Sequence, residues 1–207
     1  MKPKETINLY RVISLLVIAL VTFGVMGGLC AKSHLYPDEW LSMFFLTLIF
    51  LLACMFELEY ERKQKGISAT FIRLSVTYTV SGGLIYAISY LPEFYRPVMI
   101  PVILLTAVSN SMVAVSFGLF FDLVLALTVG GSFYALAAYI MLTMLAAVLA
   151  QALKEKKYRM GVSLLTFFFS LMIPELFSYL STKEMQKYSL LYAFGTAFLT
   201  FLTAAFL

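Results

Sequence analysis

"RPVMIPVILLTAVSNSMVAVSFGLFFDLVLALTVGG", residues 96–131, is almost wholly apolar. Its charges are Arg96 at the start and Asp122 deep inside, and its polar knot is Ser109-Asn110-Ser111. The rest of the chain has the same character. Of 207 residues, 62% are hydrophobic and 13% charged, and the mean hydropathy is +0.93. Soluble domains hold about half apolar and about a quarter charged residues. A chain this short cannot hide that excess of apolar surface from water, so its solvent is lipid. In lipid every backbone N–H and C=O needs a partner inside the protein, which leaves helices or closed barrels. The apolar runs are about 20 residues long and do not alternate, so they predict helices.

Length decides how the quoted stretch divides. As one helix, residues 97–129 would run roughly 50 Å at about 1.5 Å per residue, against a hydrocarbon core of about 30 Å. Two short spans hinged at Ser109, Asn110 and Ser111 fit better, with a re-entrant pair as the alternative. Spans are expected at 12–30, 40–56, 71–90, 97–109, 112–129, 133–153, 160–180 and 188–207. Loop 57–73 holds Arg62, Lys63, Lys65 and Arg73, and loop 154–159 holds Lys154, Lys156, Lys157 and Arg159. Short loops rich in Lys and Arg stay cytoplasmic. An even number of crossings must therefore join the two loops, which four spans satisfy and three do not. Of the 15 Lys and Arg residues, Lys32, Arg96, Lys183 and Lys187 then fall outside and the rest, with Lys2, Lys4 and Arg11, inside. Tyr36, Trp40, Tyr90 and Tyr95 fall at the outer interface, as in an aromatic belt.

The expected fold is an all-α, polytopic helical membrane protein with seven or eight transmembrane helices and both termini cytoplasmic. Residues 1–39 would form a cytoplasmic stub, a first span and a short outer loop, and residues 40–207 a seven-helix bundle. The expected location is the bacterial inner membrane. The first span reads as a retained helix, because its run exceeds a signal peptide's apolar core of about 7–15 residues and "GGLCAKS" is a poor cleavage site. Its Gly24 and Gly28, four apart, predict a small face for close helix packing.

Few residues can carry chemistry. Cys30, Cys54 and His34 cannot supply the three or four ligands of a zinc-type centre, and no metal or cofactor is expected. Cys30 and Cys54 fall at opposite depths, too far apart for a disulfide. The net charge of +4 gathers at the ends of apolar runs and reads as membrane topology rather than nucleic-acid binding. The expected partners are the bilayer and proteins docking on loops 57–73 and 154–159. "ELEYERKQK", residues 57–65, reads as solvated loop.

Asp122 falls in mid-span, where a charge costs about 3 kcal/mol by insertion scales and normally faces the bundle or a wet cavity. It serves either a ligand, ion or coupling site, or a hydrogen bond that fixes packing. Glu175 follows Pro174, which removes a backbone donor. The pair either lines a cavity or marks a glutamate snorkelling to the interface. Asn110 either bridges helices or caps the hinge.

"RPVMIPVILLTAVSNSMVAV" is similar to the hallmark stretch of bacterial seven-transmembrane receptors with an intracellular HD hydrolase domain. Pro97-Val98 stands where that family opens a short span with Pro-Val. Asn110-Ser111-Met112-Val113-Ala114 stands at its Asn/Asp-Pro-Arg-Leu-Ala-like turn, with Ser111 and Met112 replacing Pro and Arg. "GGSFYALAAYIMLTMLAAVLAQALKEKKYRMGVSLL" resembles the next span, its basic loop and the start of the following span. "LLYAFGTAFLTFLTAAFL" resembles the last span, which in the family runs into the hydrolase. The resemblance covers residues 40–207 and implies a membrane module that senses or transmits a signal. The family's metal-dependent hydrolysis of a cyclic dinucleotide is not implied for these residues, because Leu35 follows His34 where an HD motif needs Asp. No enzyme is expected here. Only "AKSHLYPDEW" separates the first two spans, in place of the family's large extracellular domain. The last run reaches Leu207 without a charged flank, so a natural end and a continuation into a further domain both fit.

"FGLFFDLVLALTVGG" also resembles the Gly-x-x-x-Asp segment of the rod-shape-determining membrane protein D family, with Asp122 and Gly130 at the matching positions. That resemblance implies a scaffold of the cell-elongation machinery, although this chain has three extra upstream spans. Small vitamin-transporter substrate-binding subunits share its size and hydrophobicity, which would imply solute binding.

Overall fold

The computed structural model describes residues 9–33, 35–65, 70–109, 111–129, 131–183 and 189–207. It contains α1 (Leu9–Ser33), α2 (Pro37–Lys65), α3 (Thr70–Ile88), α4 (Met99–Val108), α5 (Ser111–Thr128), α6 (Phe133–Leu153), α7 (Arg159–Thr182) and α8 (Ser189–Phe206). A single 3₁₀ turn, Glu93–Tyr95, lies between α3 and α4. The fold is all-α. Six helices (α1, α2, α5, α6, α7 and α8) are long and apolar enough to cross a membrane, and α3 carries a shorter apolar stretch, Ile72–Ile88. Large apolar side chains such as Leu20, Phe56, Phe133 and Leu191 stand exposed on the outside of the bundle. A water-soluble monomer does not tolerate such a surface, whereas lipid does. The chain is a multi-pass membrane protein.

Lipid tails are as apolar as leucine, so membrane helices associate through close packing and hydrogen bonds. The α7–α8 pair shows this. The two helices pack together, and their buried residues include the small Ser163, Thr166, Ser170 and Ser178 of α7 and Ala193, Thr196, Ala197, Thr200 and Ala204 of α8. The α1–α3 pair uses glycines. A Cβ at Gly28 would come within 2.9 Å of Tyr86, and one at Gly82 within 2.7 Å of Val21. The expected packing face of Gly24 and Gly28 is thus half corrected. Gly24 is exposed and a Cβ there meets nothing within 4 Å. The side of α1 that meets α3 runs through Val21, Val25 and Gly28, which leaves Gly24 on the flank.

One buried bond in this layer yields an asymmetric expectation. Thr22 Oγ1 donates to the Ile18 carbonyl at 2.7 Å and lies 2.7 Å from the Tyr78 hydroxyl, which is therefore the donor between them. Tyr78→Phe leaves Thr22 bonded and should cost about 0.5–1 kcal/mol, whereas Thr22→Val orphans a buried phenol and should cost about 1–3 kcal/mol. Unfolding titrations in mixed detergent check the order; equal costs would mean that the hydroxyl finds another partner.

Two more expectations change. Residues 57–65 are not loop, because α2 continues to Lys65. Glu, Arg, Lys and Gln are good helix formers, and no breaker occurs before Gly66. Glu57 is not simply solvated either, since Ser116 of α5 donates to its Oε1 at 3.0 Å. Tyr36, Trp40 and Tyr90 are exposed, but Tyr95 is buried, as are all of residues 94–99. Cys30 and Cys54 are both buried and free. His34, Asn110, Gly130, Lys187, Lys2 and Lys4 lie outside the described residues.

The stretch quoted at the outset divides as its length demands. Backbone and side chain of Ser109 both donate to the Leu105 carbonyl, each at 2.8 Å, and its extended conformation ends α4. α4 then lies antiparallel to α5. At one end, Glu93 accepts from the Ser132 backbone N–H just past α5. At the other, Ser111 at the start of α5 meets Gln151 near the end of α6, at 3.0 Å. There Ala107 of α4 shares a cavity of about 220 Å³ with Ala150, Leu153 and Arg159. Residues 92–108 therefore match the 21-residue α6 from end to end with a turn, a buried irregular segment and ten helical residues. Non-helical backbone is tolerated at membrane depth only where protein covers it.

Candidate functional site

α5 carries Asp122 into the packed interior, where it is 1% exposed. Its Oδ2 accepts a 2.7 Å hydrogen bond from Thr143 Oγ1 of α6, and its Oδ1 is buried without a partner. Gly118, one turn earlier, makes this contact possible. A Cβ there would stand 2.6 Å from Thr143 Cγ2 and 2.8 Å from Val102 Cγ2, so only a glycine lets α4, α5 and α6 close to this distance.

One turn back along α6 is Tyr139, fully buried. Its hydroxyl donates to the Glu93 backbone carbonyl and accepts from Arg96 Nη1 at 3.1 Å. Arg96 Nε also donates to the Leu91 carbonyl at 3.3 Å, and the whole residue is 4% exposed. Arg96, Glu93 and Asp122 all act electrostatically on Tyr139. The result is a polar column inside an apolar jacket, made of two separate contacts one turn apart on α6: the guanidinium at the head of α4 with Tyr139, and Thr143 with the Asp122 carboxyl. Phe117, Phe121 and Leu142 are among the buried residues that surround it.

The column brings together some of the expected residues and leaves others apart. Asp122 is at its centre. Ser109 and Ser111 lie at the far end of the α4–α5 hairpin, so the hinge does not touch Asp122. Glu175 sits on α7, in a separate cluster. Asn110 lies outside the described residues. Arg96, Tyr139, Thr143 and Gly118 were not expected. Arg96 reads in the sequence as an outer-loop charge, and only its place between Phe94-Tyr95 and an unbroken apolar run hints at burial. Tyr139 and Thr143 are spaced i, i+4 on α6, which places both hydroxyls on one face.

Among the described residues no group of His, Cys, Asp and Glu could hold a metal ion. What the arrangement offers is two buried polar contacts one turn apart on α6, Arg96–Tyr139 and Thr143–Asp122, with Asp122 Oδ1 left unbonded. Thr143→Val keeps the methyl that packs on Gly118 but leaves both carboxyl oxygens unbonded. It should cost about 1–3 kcal/mol, whereas Thr143→Ser should be close to neutral. Thermal unfolding followed by size-exclusion chromatography reads the difference, and a Val variant as stable as the Ser variant would remove Thr143 from the site.

No family model matches this chain, and neither does any curated protein or solved structure.

Proposed function

We propose that this chain is the non-catalytic membrane module of a signalling protein resembling the seven-transmembrane receptors with intracellular HD hydrolases. It senses or transmits a signal. The observation that carries the reading is the α4 segment, a ten-residue helix hinged to α5 at Ser109 and pinned to α6 through the buried Arg96–Tyr139 contact. In this reading the short element, held by a few buried polar bonds, moves between a seated and a released arrangement that a signal biases. In this reading the chain crosses the bacterial inner membrane eight times. Both termini and the basic segments 57–73 and 154–159 face the cytoplasm, as the distribution of Lys and Arg supports. Lys154, Lys156 and Lys157 are exposed there for a protein partner.

The experiment has two arms. Membrane-impermeant maleimide should label a cysteine at Tyr90 in intact cells and one at Lys156 only after lysis, in a background with Cys30 and Cys54 replaced. Deleting the gene, or introducing Arg96→Met, should shift the cellular cyclic dinucleotide concentration. Unchanged nucleotide levels together with co-purification of cell-wall synthesis proteins would move the assignment to a cell-elongation scaffold. That second reading is favoured by the Gly118-x-x-x-Asp122 spacing, whose glycine has a packing role here. Saturable solute binding abolished by Asp122→Asn would instead favour a transport subunit, in which the free Asp122 Oδ1 meets the solute.

A further inference from the structure

We infer that the cavity at the α6–α7 end of the bundle binds the phosphate headgroup of an anionic phospholipid, held by Arg159 and Lys154. The site needs only a chain that crosses the membrane, and it does not depend on the signalling reading. Four helices bring residues to this space of about 220 Å³: Ile103 and Ala107 of α4, Ala150 and Leu153 of α6, Arg159 at the start of α7, and Leu207 just after α8. Lys154, directly after α6, also lines it. Ile103, Ala150 and Leu153 are buried, so the inner wall is apolar and covered by protein. Lys154 is exposed and Arg159 half-buried, so the charged side is the one that meets the surface.

A donor stands unused in this wall. Arg159 Nε is buried without a hydrogen-bond partner. An unpaired buried donor in a native fold points to a water, an ion or a ligand. Charge decides among these, because two cations border one space and favour an anion. The guanidinium fork suits phosphate in particular, since its parallel N–H groups reach two oxygens at once. The start of α7 adds to this. The first N–H groups of a helix have no partner within it and favour negative charge, and Tyr158 at the N-cap of α7 makes no side-chain bond to them. The apolar wall selects the source of the phosphate. A free phosphate ion is hydrated on every side and gains nothing from Ile103, Ala107, Ala150, Leu153 and Leu207. A phospholipid carries phosphate and apolar chains in one molecule. Exposed Val148 of α6 and Met160 and Leu164 of α7, near the same helix ends, give those chains a surface to lie on. Basic pockets between membrane helices are where anionic headgroups lodge.

The purified, unmutated chain in neutral detergent is the test material, with phosphatidylglycerol, phosphatidylcholine and inorganic phosphate as probes. Phosphatidylglycerol should raise the unfolding midpoint saturably, and native mass spectrometry should find it retained on the chain. Phosphatidylcholine, whose own cation is repelled by Lys154 and Arg159, should do neither, and nor should inorganic phosphate. Arg159→Gln should weaken the effect severalfold. So should Ala107→Leu, which narrows the cavity without altering charge. Lys156→Gln removes the same charge from a residue outside the cavity wall and should keep most of the effect. An equal rise with both lipids, or full retention by Ala107→Leu, would overturn the proposal and leave only lipid spread over the bundle surface. No rise with either lipid would overturn it too, and leave the two cations to water or to the carboxylate of Leu207. A rise with inorganic phosphate alone would overturn the lipid in favour of a soluble ligand. Because the comparison of probes needs no variant, a misfolded Arg159→Gln chain does not blunt it.

Discussion

The Gly118→Leu variant is expected to yield no monodisperse folded protein. Even alanine at this position would place its Cβ 2.6 Å from Thr143 Cγ2 and 2.8 Å from Val102 Cγ2. Both neighbours are β-branched, hence stiff about χ1, and both are buried. Neither can swing away, so the helices must part. Overpacking by one methyl costs about 1–3 kcal/mol, which is the expectation for Gly118→Ala. Leucine adds three further carbons and also pulls Thr143 off Asp122. The combined loss approaches the whole stability of an ordinary domain, about 5–15 kcal/mol. Gly195→Ala is the control, since a Cβ there meets nothing within 4 Å. It should be neutral, or stabilising by up to about 1 kcal/mol through helix propensity. Fluorescence-detected size-exclusion after heating ranks all three. A Gly118→Leu chain that elutes and melts like the parent would show that α5 does not approach α6 this closely.

Arg96→Glu is the second large effect expected. The guanidinium supplies hydrogen bonds to Tyr139 and to the Leu91 carbonyl from a site 4% exposed. Arg96→Met loses those bonds but fills the space with an apolar chain and relieves the burial of a charge. The two effects oppose, and the net cost should be about 1–3 kcal/mol. Arg96→Glu adds a buried, unpaired carboxylate to a neighbourhood already shaped by Glu93 and Asp122. That should cost at least about 3–5 kcal/mol and prevent accumulation of folded protein in the membrane. If the Glu variant is as stable as the Met variant, the side chain stands in water, as the sequence alone suggests.

The class of fold was legible because it follows from composition and run length. Long apolar stretches without alternation have one solution in lipid, and the split at Ser109 follows from the thickness of hydrocarbon. The extent of α2 was not legible from hydropathy, because Glu57–Lys65 leave the apolar run while remaining good helix formers. Asp122 could be singled out, since an acid in mid-span is conspicuous. Its partners could not, because Thr143 and Tyr139 become neighbours of Asp122 only through the close approach at Gly118, which is a fact of three-dimensional packing. The burial of Arg96 was not legible for a related reason. The positive-inside argument places cations by sequence distance from apolar runs, and it has no means of seeing that residues 94–99 are covered by protein. Gly24 and Gly28 show the same limit. Spacing finds the pair, and only the partner helix, through Tyr86, shows which member it uses.

The brevity of α4 bears on how the chain is made. A helix of ten residues, with Met99, Pro101, Val102, Ile103, Leu105 and Thr106 all buried, presents little surface to lipid. It is about 15 Å long, half the hydrocarbon thickness, so lipid alone gives it no stable lodging as it leaves the insertion machinery. The partners that hold its head, Tyr139 and Ser132, are synthesised more than thirty residues later. On the eight-span reading, residues 96–108 wait at the machinery or at the membrane surface, with the arginine still hydrated, until α5 and α6 arrive. The last step of insertion for this segment is then the burial of Arg96, a step set by the order of synthesis rather than by the hydropathy of the segment itself.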